Sequence, residues 1–470
     1  MKMKLQALRP EQIAEINEKI EKLMWEQGIV VNDTDVCAFF ADKGAKVLGA
    51  TVHIPKQMLQ EAVKNVPTQY TLHARNPEKT VTFGIGHDVV INPNSGQSFI
   101  QDADGTRRPG TVDDLNKMLK LNHTSKVTGV SNAGILYPTV GIDPKDAKYL
   151  QMINALALSD KPFFSQGIDG TYGKAAIDLA RIATGYNDRH VCMSVVNSLS
   201  PMMWDTKMLS MIRVFAEENQ PLNISSSSMI GATAPINLTT ALIAAFAEAL
   251  LGVVYSQLIR PGAPVVFGCF PGVMNMRHMC MSYGAPEFSI LCVAASQMAA
   301  FYEMPFRGGG GLTDAKVTGA QSSMESALHL MIALNCDVHY MHQSIGTLDS
   351  ILAGSAEKFI MDEEIVARIR HMQKGVGEID SEALDVIKEG CKDRSFLALE
   401  STALNFRDVI FKPTYSDGCT YEEWMEKRKS DDEAARKVVD KRIAGYVEPD
   451  IGADVKKQLK EYAVKLGAVL

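Results

Sequence analysis

The sequence predicts a (β/α)8 TIM barrel with an N-terminal mixed α/β segment and a C-terminal helical extension. Two observations support this prediction. From about residue 97, short apolar runs alternate regularly with helices of ten or more residues, and eight such strand–helix units follow one another. Regular alternation implies a parallel sheet, and eight units over about 280 residues match a closed barrel. An open doubly wound sheet is the alternative, but the glycine-rich dinucleotide turn typical of that fold is missing.

Three segments follow from this pattern: an N-terminal α/β segment over 1–90, the barrel over 91–380 and a charged helical extension over 381–470. In the first segment we expect helices from Pro10 to about Gln27, near 34–43 and from Pro55 to Asn65, with strand-like pieces at QYTLHA and TVTFGIG. The predicted barrel strands are SFIQD (98–102), KVTGVSNAG (126–134), PFFSQG (162–167), VCMSVVNS (191–198), PLNISSSS (221–228), APVVFGCF (263–270), PFRGGGG (305–311) and DVHYMHQ (337–343).

Composition excludes several classes of function. A net charge of -7 without a basic block argues against nucleic acid as a partner. The most apolar helix, 239–259, contains Glu248 and Gln257, so we expect a buried helix and no membrane span. The start of the chain lacks the apolar core of a signal peptide. The eight cysteines form no C-x-x-C pair, which favours reduced thiols and a cytoplasmic protein. The one local metal-like pair, His278 and Cys280, lacks further ligands, so we expect no metal site.

In a barrel the chemistry lies where the strands end. The residues at these ends are Asp102, Asn132, Gln166, Asn197, Ser226, Ser228, Phe270, Arg307, Asp314, His339 and His342. They form a neutral, hydrogen-bonding rim that contains neither the acid pair of a glycosidase nor a G-x-S-x-G elbow. Aromatic residues near the same ends could hold a cation through cation–π contacts.

The stretch RGGGGLTDAK (307–316) places four glycines at the end of the seventh predicted strand. It is not a P-loop, because Lys316 follows Ala315 and not a glycine. Two interpretations remain open. The glycines could let a ligand or a flat partner lie against the backbone, or they could form a tight bend in the strand.

Four phrases carry a resemblance to a known family: GTRRPGTVDDL (105–115), SLSPMMWDTKML (198–209), the long run from GATAPINLTT to PVVFG (231–268) and GGGGLTDAK (308–316). Together they resemble the trimethylamine:corrinoid methyltransferase family over roughly 95–370. In that family a barrel presents an N-methyl group of an amine to the Co(I) of a separate corrinoid protein docked over its mouth. The trimethylamine enzymes carry pyrrolysine, whereas every residue here is one of the standard twenty. The chain therefore resembles the branch that demethylates quaternary amines.

The resemblance implies a methyltransferase for which glycine betaine is the first expected substrate, followed by proline betaine, carnitine and γ-butyrobetaine. A quaternary ammonium leaves as a neutral amine, so no general acid or base is required. Candidate substrate-binding residues are Gln166, Asn197, Phe164, Ser226, Phe270, Arg307, Tyr340, His339 and His342. Arg277 is a further candidate for the substrate carboxylate, together with Arg307, His339 and His342, and the bidentate fork of arginine suits a carboxylate best. Candidates for a loop facing the corrinoid are Gly308, Gly309, Gly310, Gly311, Asp314 and Lys316.

The corrinoid is expected on a partner protein, and no cofactor is expected on this chain alone. The B12-binding phrase D-x-H-x-x-G is absent, since DVHYMH has His342 in the glycine position. Helices rich in Met and Ala make a homo-oligomer plausible. Two alternatives stay open: a barrel lyase or aldolase, which would need a lysine at a strand end, and a non-catalytic barrel that binds a small ligand.

Overall fold

The computed structural model describes residues 5–469, so the first four residues and the last residue of the predicted terminal segments lie outside the described range. The N-terminal elements are helices Pro10–Glu26, Thr34–Asp42 and Lys56–Asn65, strands Ile29–Asn32, Lys46–Leu48, Thr51–His53, Gln69–Leu72 and Val81–Gly84, and a short 3-10 helix Pro77–Lys79. Strand Ile29–Asn32 pairs in parallel with Met203–Asp205 from the middle of the chain. The N-terminal segment is therefore attached to the barrel by backbone hydrogen bonds as well as by apolar packing.

Eight parallel strands form the central sheet. They are β1 (Val90–Ile91), β2 (Ser131–Asn132), β3 (Phe163–Phe164), β4 (Cys192–Asn197), β5 (Leu222–Ser226), β6 (Val265–Cys269), β7 (Phe306–Gly308) and β8 (Tyr340–Met341). Each strand pairs with its successor from β2 to β8, and β8 pairs with β1. The Gly129 N–H donates to the Ile91 carbonyl at 2.8 Å, which joins β1 to the segment entering β2 and closes the barrel. The predicted (β/α)8 fold is confirmed.

Eight helices surround the sheet. They are α1 (Val112–Thr124), α2 (Pro144–Ala157), α3 (Gly170–Thr184), α4 (Thr206–Glu217), α5 (Leu238–Ile259), α6 (Pro286–Phe301), α7 (Ala320–Ala333) and α8 (Ala356–Gln373). Their starts follow from local capping: Thr111 and Asp114 form a capping box at α1, and Asp143 and Pro144 open α2. Within the described residues, α5 alone is long and apolar enough to cross a membrane, and 72% of its apolar window is buried against the rest of the protein.

One predicted strand was wrong. Phe99–Gln101, within the predicted SFIQD strand, is not part of the barrel; it pairs with Arg107–Pro109 and with Ala353–Gly354 in a separate four-stranded sheet. The first barrel strand is Val90–Ile91. Two apolar residues before a polar NPNSGQ run give a weak pattern, and the longer apolar run at 98–102 outweighed it.

The two ends of the barrel differ. At the amino end, the antiparallel strands Gln69–Leu72 and Val81–Gly84 place Tyr70 and Phe83 against the barrel interior, where the Phe83 ring lies 5.5 Å from that of Tyr340. The separate sheet described above lies at the carboxyl ends of the strands. Because these side chains fill the amino end of the barrel, its interior is accessible from the carboxyl end.

Beyond α8 the described residues, up to 469, form five further helices. They are α9 (Ala383–Asp393), α10 (Glu400–Val409), α11 (Tyr421–Lys427), α12 (Asp431–Ala444) and α13 (Ala453–Lys465). The last two return to the barrel: Arg442 forms an ion pair with Glu363 of α8, and Tyr462 donates to Asp178 of α3 at 2.6 Å. By contrast, α9 and α10 bury almost nothing against the rest of the chain.

Candidate active site

A cavity of about 470 Å³ opens at the carboxyl ends of the barrel strands. Residues from segments around the whole barrel line it. Those that follow β1, β2, β3 and β8 are Ser95, Gly96, Ser98, Tyr137, Gln166, Gly167, Ile168, His342, Gln343 and Ile351. Those that belong to β4 to β7 or follow these strands are Val195, Asn197, Ser227, Phe270, Tyr283 and Arg307. The volume is that of a small-molecule pocket. No acidic side chain and no lysine is among these described lining residues.

Arg307 is the single cationic side chain of this lining. It is 3% exposed, and its guanidinium carbon lies 3.7 Å from the centre of the Phe270 ring. Nη1 donates to Ser225 Oγ at 3.2 Å, whereas Nε has no partner, and no carboxylate among the described residues forms an ion pair with it. Burial lowers the pKa of Arg307 to about 10, partly opposed by the nearby Tyr283 and Tyr340. A buried charge without a counter-ion is costly, so this group is suited to an anionic ligand.

His342 provides a second donor beside Arg307. The Asn92 amide nitrogen lies 2.8 Å from His342 Nδ1 and donates to the Tyr340 hydroxyl at 2.6 Å. Burial, together with the Arg307 charge, holds the pKa of His342 well below its ordinary value, so the ring is neutral. Since Nδ1 accepts from Asn92, the proton of the neutral ring lies on Nε2. His342 can therefore donate one hydrogen bond to a ligand without carrying charge.

Neutral amides complete the polar part of the wall. Asn197 ends β4, and its buried Oδ1 has no hydrogen-bond partner. Gln166 lies opposite Gly134, where a Cβ would come within 2.4 Å of the Gln166 amide nitrogen, so only glycine leaves room for this side chain. Both amides can contact a ligand without a change in their protonation.

An aromatic cluster forms the wall behind Arg307. The ring centroid of Phe270 lies 5.2 Å from that of Tyr283 and 4.9 Å from that of Phe288. Below the cavity, the ring centroid of Phe164 lies 5.0 Å from that of His342. These rings give the site a low-polarity surface next to fixed donors.

Asp314 fixes the position of Tyr283 in that cluster. Its carboxylate accepts from the N–H groups of Tyr283 and Gly284 at 2.8 and 3.0 Å, from the Ser350 hydroxyl at 2.6 Å and from the Ser282 hydroxyl. These hydrogen bonds keep the pKa of Asp314 below its ordinary value despite partial burial, which raises it. Lys316 does not contact this carboxylate: its Nζ donates to the backbone carbonyl of Asp314 at 2.7 Å and pairs with Asp349 at 2.8 Å.

The structure brings together most of the predicted substrate residues. Gln166, Asn197, Phe270, Arg307 and His342 line the cavity, and Phe164 and Tyr340 are buried directly beneath it. Three predicted residues lie elsewhere. The Ser226 hydroxyl donates to Glu248 of α5 at 2.8 Å, facing away from the barrel interior. His339 precedes β8 at the amino end, where its Nδ1 accepts from the Phe306 N–H at 3.1 Å. Arg277 is exposed on a loop outside the cavity.

The four glycines of the run 308–311 are buried against neighbouring segments of the barrel. Gly308 to Gly311 are buried, and the chain itself occupies the space that their side chains would need. A Cβ on Gly310 would lie 2.6 Å from Ser344 Oγ, and one on Gly311 would lie 2.5 Å from the Ser344 carbonyl oxygen. Close packing of β7 against the segment after β8 therefore favours the tight-bend interpretation of the glycines, and their contact with a corrinoid stays a prediction.

Sequence reasoning missed the contribution of the segments after β1 and β8. Ser95, Gly96 and Ser98 follow the strand that was misassigned, and Gln343 and Ile351 follow β8. The run NPNSGQS, rich in amides and hydroxyls directly after an apolar pair, is the signal that could have identified them. Ser225, which contacts Arg307, was also missed in favour of its neighbour Ser226.

A barrel with a pre-formed small-molecule cavity at the carboxyl ends of its strands has the architecture of TIM-barrel enzymes. Comparison with known proteins identifies the family. The family model described as trimethylamine methyltransferase (MTTB) matches residues 2–468, and the chain belongs to this family.

Individual relatives cover nearly the whole chain. The glycine betaine methyltransferase of Desulfitobacterium hafniense (strain Y51) is 32% identical over 99% of this chain and 98% of that protein. From Eubacterium limosum, the L-carnitine:corrinoid methyltransferase is 28% identical over 95% of this chain and 94% of its own length. The proline betaine:corrinoid methyltransferase of the same organism is 28% identical over 95% of both chains.

We expect Asp314→Asn to weaken the cavity wall without unfolding the protein. The amide group of asparagine cannot accept from all four donors, so Tyr283 loses part of its support, and the affinity of the cavity for its ligand should fall by about 1 kcal/mol, about fivefold. Calorimetric titration with the amine proposed below measures the change. Asp104→Asn, in an exposed turn at the same end of the barrel, is the matched control and should bind as the wild type does. Equal affinities for all three proteins would contradict the positioning role.

Proposed function

We propose that this protein transfers an N-methyl group from a quaternary amine that carries a carboxylate, with glycine betaine as the first candidate, to the Co(I) of a separate corrinoid protein. The observation that carries the proposal is the environment of Arg307. This buried cation lies in the cavity wall, and no carboxylate among the described residues forms an ion pair with it. A betaine carboxylate would supply that partner through the bidentate geometry that arginine favours. The name of the relative at 32% identity supports glycine betaine, and those at 28% make carnitine and proline betaine the next candidates.

The composition of the cavity suits this reaction. The positive charge on nitrogen falls as the methyl group leaves, so a carboxylate against the nitrogen would stabilise the substrate more than the transition state. The described lining residues offer aromatic rings and neutral amides there instead. The positive charge of Arg307 also repels the positive charge of the substrate ammonium group. This repulsion is relieved as the methyl group leaves and the neutral amine forms.

We infer that the corrinoid approaches the mouth of the barrel and does not enter the cavity. A volume of about 470 Å³ suits a betaine, whereas a corrin ring is far larger than such a substrate. When bound to its partner protein, the corrinoid supplies a Co(I) nucleophile that accepts the methyl group. The role of this chain is to hold the carboxylate at Arg307 and His342 and to present the trimethylammonium group toward the mouth.

The eight cysteines are free thiols, in keeping with a cytoplasmic enzyme.

A panel of amines tests the proposal. The chain, a Co(I) corrinoid protein and one amine at a time are mixed, and the loss of Co(I) absorbance is followed. Glycine betaine, proline betaine, carnitine, γ-butyrobetaine, choline and trimethylamine form the panel. We expect demethylation of one or more carboxylated quaternary amines and none of choline or trimethylamine. If no amine reacts while betaine still binds, the protein is a non-catalytic binder.

A lyase or aldolase mechanism through a Schiff base is not favoured. That chemistry needs a lysine in the site, and no lysine is among the described lining residues. The buried Lys161 lies elsewhere, where its Nζ donates to the carbonyls of Asn122, Ser125 and Thr128 at 2.8 to 2.9 Å.

Betaine binding should be independent of pH across the neutral range. The lowered pKa of His342 keeps its ring neutral above about pH 7, and Arg307 keeps its charge below its pKa of about 10. The dissociation constant for glycine betaine, measured by calorimetry, should therefore stay constant from about pH 7 to about pH 9 and should rise as the guanidinium loses its proton above that range. A change in affinity between pH 7 and 8 would indicate that another titrating group controls binding.

A further inference from the structure

One row of paired residues runs through six strands of the barrel. It follows the hydrogen-bonding register from β1 through β8, β7, β6 and β5 to β4, and its members are Val90, Tyr340, Arg307, Gly268, Ser225 and Asn197. Val90 and Tyr340 belong to the apolar cluster that fills the amino end, whereas Asn197 lines the cavity at the carboxyl end. Because the strands of such a barrel tilt by about 36° to its axis, the row climbs toward the mouth, and Asn197 lies nearer the mouth than Arg307.

The side chain of Arg307 follows this row upward. Gly268 of β6 stands between Arg307 and Ser225 in the register, yet Arg307 Nη1 donates to Ser225 Oγ at 3.2 Å. A Cβ on Gly268 would lie 2.5 Å from Ser225 Oγ, so only glycine leaves this space open. The guanidinium therefore spans β6 and ends beside β5, one strand away from Asn197.

Asn197 provides an unpaired acceptor next to the guanidinium. Its Oδ1 is buried and has no hydrogen-bond partner among the described residues. In the register Asn197 pairs with Ser225, the residue that Arg307 contacts, and neighbouring strands lie about 4.8 Å apart. A buried acceptor without a partner costs free energy, and a positively charged group of a ligand in the cavity would offset that cost.

The aromatic wall offers no equivalent place for a cation. The guanidinium carbon of Arg307 already lies 3.7 Å from the centre of the Phe270 ring. The rings of Tyr283 and Phe288 pack on the same phenylalanine, with centroid distances of 5.2 and 4.9 Å. An ammonium group on Phe270 would therefore meet the charge of Arg307 directly, which repels it. The amide oxygen of Asn197 carries a partial negative charge and is not shared with another cation.

We propose that Asn197 is a specificity-determining residue of the cavity, an inference that rests on the function proposed above. Its amide oxygen contacts the trimethylammonium group of a betaine whose carboxylate lies on Arg307. In glycine betaine a single methylene group separates the two charged groups, which suits an acceptor one strand away from the guanidinium. Each further methylene group displaces the ammonium past Asn197. The contact also directs the methyl groups toward the mouth, because Asn197 lies nearer the mouth than Arg307.

Calorimetric titration with two ligands of the same shape tests this contact without requiring methyl transfer. The ligands are glycine betaine and 3,3-dimethylbutanoate, in which a neutral carbon replaces the charged nitrogen. Asn197→Leu keeps the approximate size of the side chain and removes the oxygen, so betaine affinity should fall about fivefold or more, whereas dimethylbutanoate affinity should not fall. Asn187→Leu, in an exposed loop before β4, is the matched control and should bind both ligands as the wild type does. An equal loss for both ligands in Asn197→Leu would overturn the proposal.

The wild type alone gives a second readout that does not depend on the folding of a variant. Its dissociation constants are measured for glycine betaine, β-alanine betaine and γ-butyrobetaine, which contain one, two and three methylene groups. Affinity should fall along this series and should be about tenfold lower, or more, for the third compound than for the first. Equal or tighter binding of γ-butyrobetaine would overturn the role of Asn197 and leave the proposed function standing. If no compound of the series binds, the proposed function fails as well.

Discussion

Replacing Arg307 by alanine is expected to raise the dissociation constant for glycine betaine by about 30- to 1,000-fold, a loss of about 2 to 4 kcal/mol. The variant leaves the substrate carboxylate in a buried site without its cation, and it also removes the packing of the guanidinium on Phe270. Calorimetric titration measures the affinity directly. The kcat/KM for betaine should fall by a similar factor, since the carboxylate contact is present in both the ground state and the transition state.

Two controls separate the charge effect from a general loss of structure. Arg277→Ala removes an exposed arginine outside the cavity and should bind betaine as the wild type does. Choline, which has the trimethylammonium group but no carboxylate, should bind weakly to the wild type and no more weakly to Arg307→Ala. If the variant weakened choline and betaine equally, Arg307 would serve the shape of the cavity and not the recognition of a carboxylate.

Replacing Glu248 by alanine is expected to lower the free energy of unfolding by about 3 to 5 kcal/mol. Glu248 is 1% exposed within the apolar helix α5. Its carboxylate accepts from the hydroxyls of Ser198, Ser200 and Ser226 at 2.7 to 2.8 Å and from the Met202 N–H at 2.8 Å. Removal of the acceptor leaves four donors at the carboxyl ends of β4 and β5 without a partner.

Urea denaturation measures this loss. Glu217→Ala, on the exposed face of the neighbouring helix α4, is the control and should change the stability by no more than about 0.5 kcal/mol. Because the segment that Glu248 holds adjoins Asn197, the Glu248→Ala variant should also lose betaine affinity at temperatures where it remains folded. A stability equal to that of the control would mean that the serine hydroxyls find other acceptors.

The fold could be predicted because its signal is repeated along the chain. Apolar runs alternate with helices along the whole barrel, so an error in one unit does not alter the count. The one misassigned strand shows the limit. Val90 and Ile91 form a strand through pairing with β8, a long-range contact that no local pattern records.

The positions of single side chains were predicted less well, for a physical reason. Strand β5 is buried on both faces, so Ser225 and Ser226 look alike in the sequence. In the structure one hydroxyl contacts Arg307 and the other contacts Glu248. Likewise, β8 is short, which leaves His339 at the amino end while His342 lies at the cavity. Arg307 was located correctly because it belongs to β7 at its carboxyl end.

The most direct test of the proposed function is a single turnover with glycine betaine whose methyl groups carry an isotopic label. The chain, a stoichiometric amount of Co(I) corrinoid protein and the labelled betaine are mixed, and the products are identified by mass spectrometry. We predict one dimethylglycine for each Co(I) consumed, with the label on the corrinoid, no product when the chain is omitted, and a rate about 30- to 1,000-fold lower with Arg307→Ala at low betaine concentration. Recovery of intact betaine beside Co(I) that remains reactive toward a chemical methyl donor would contradict the account.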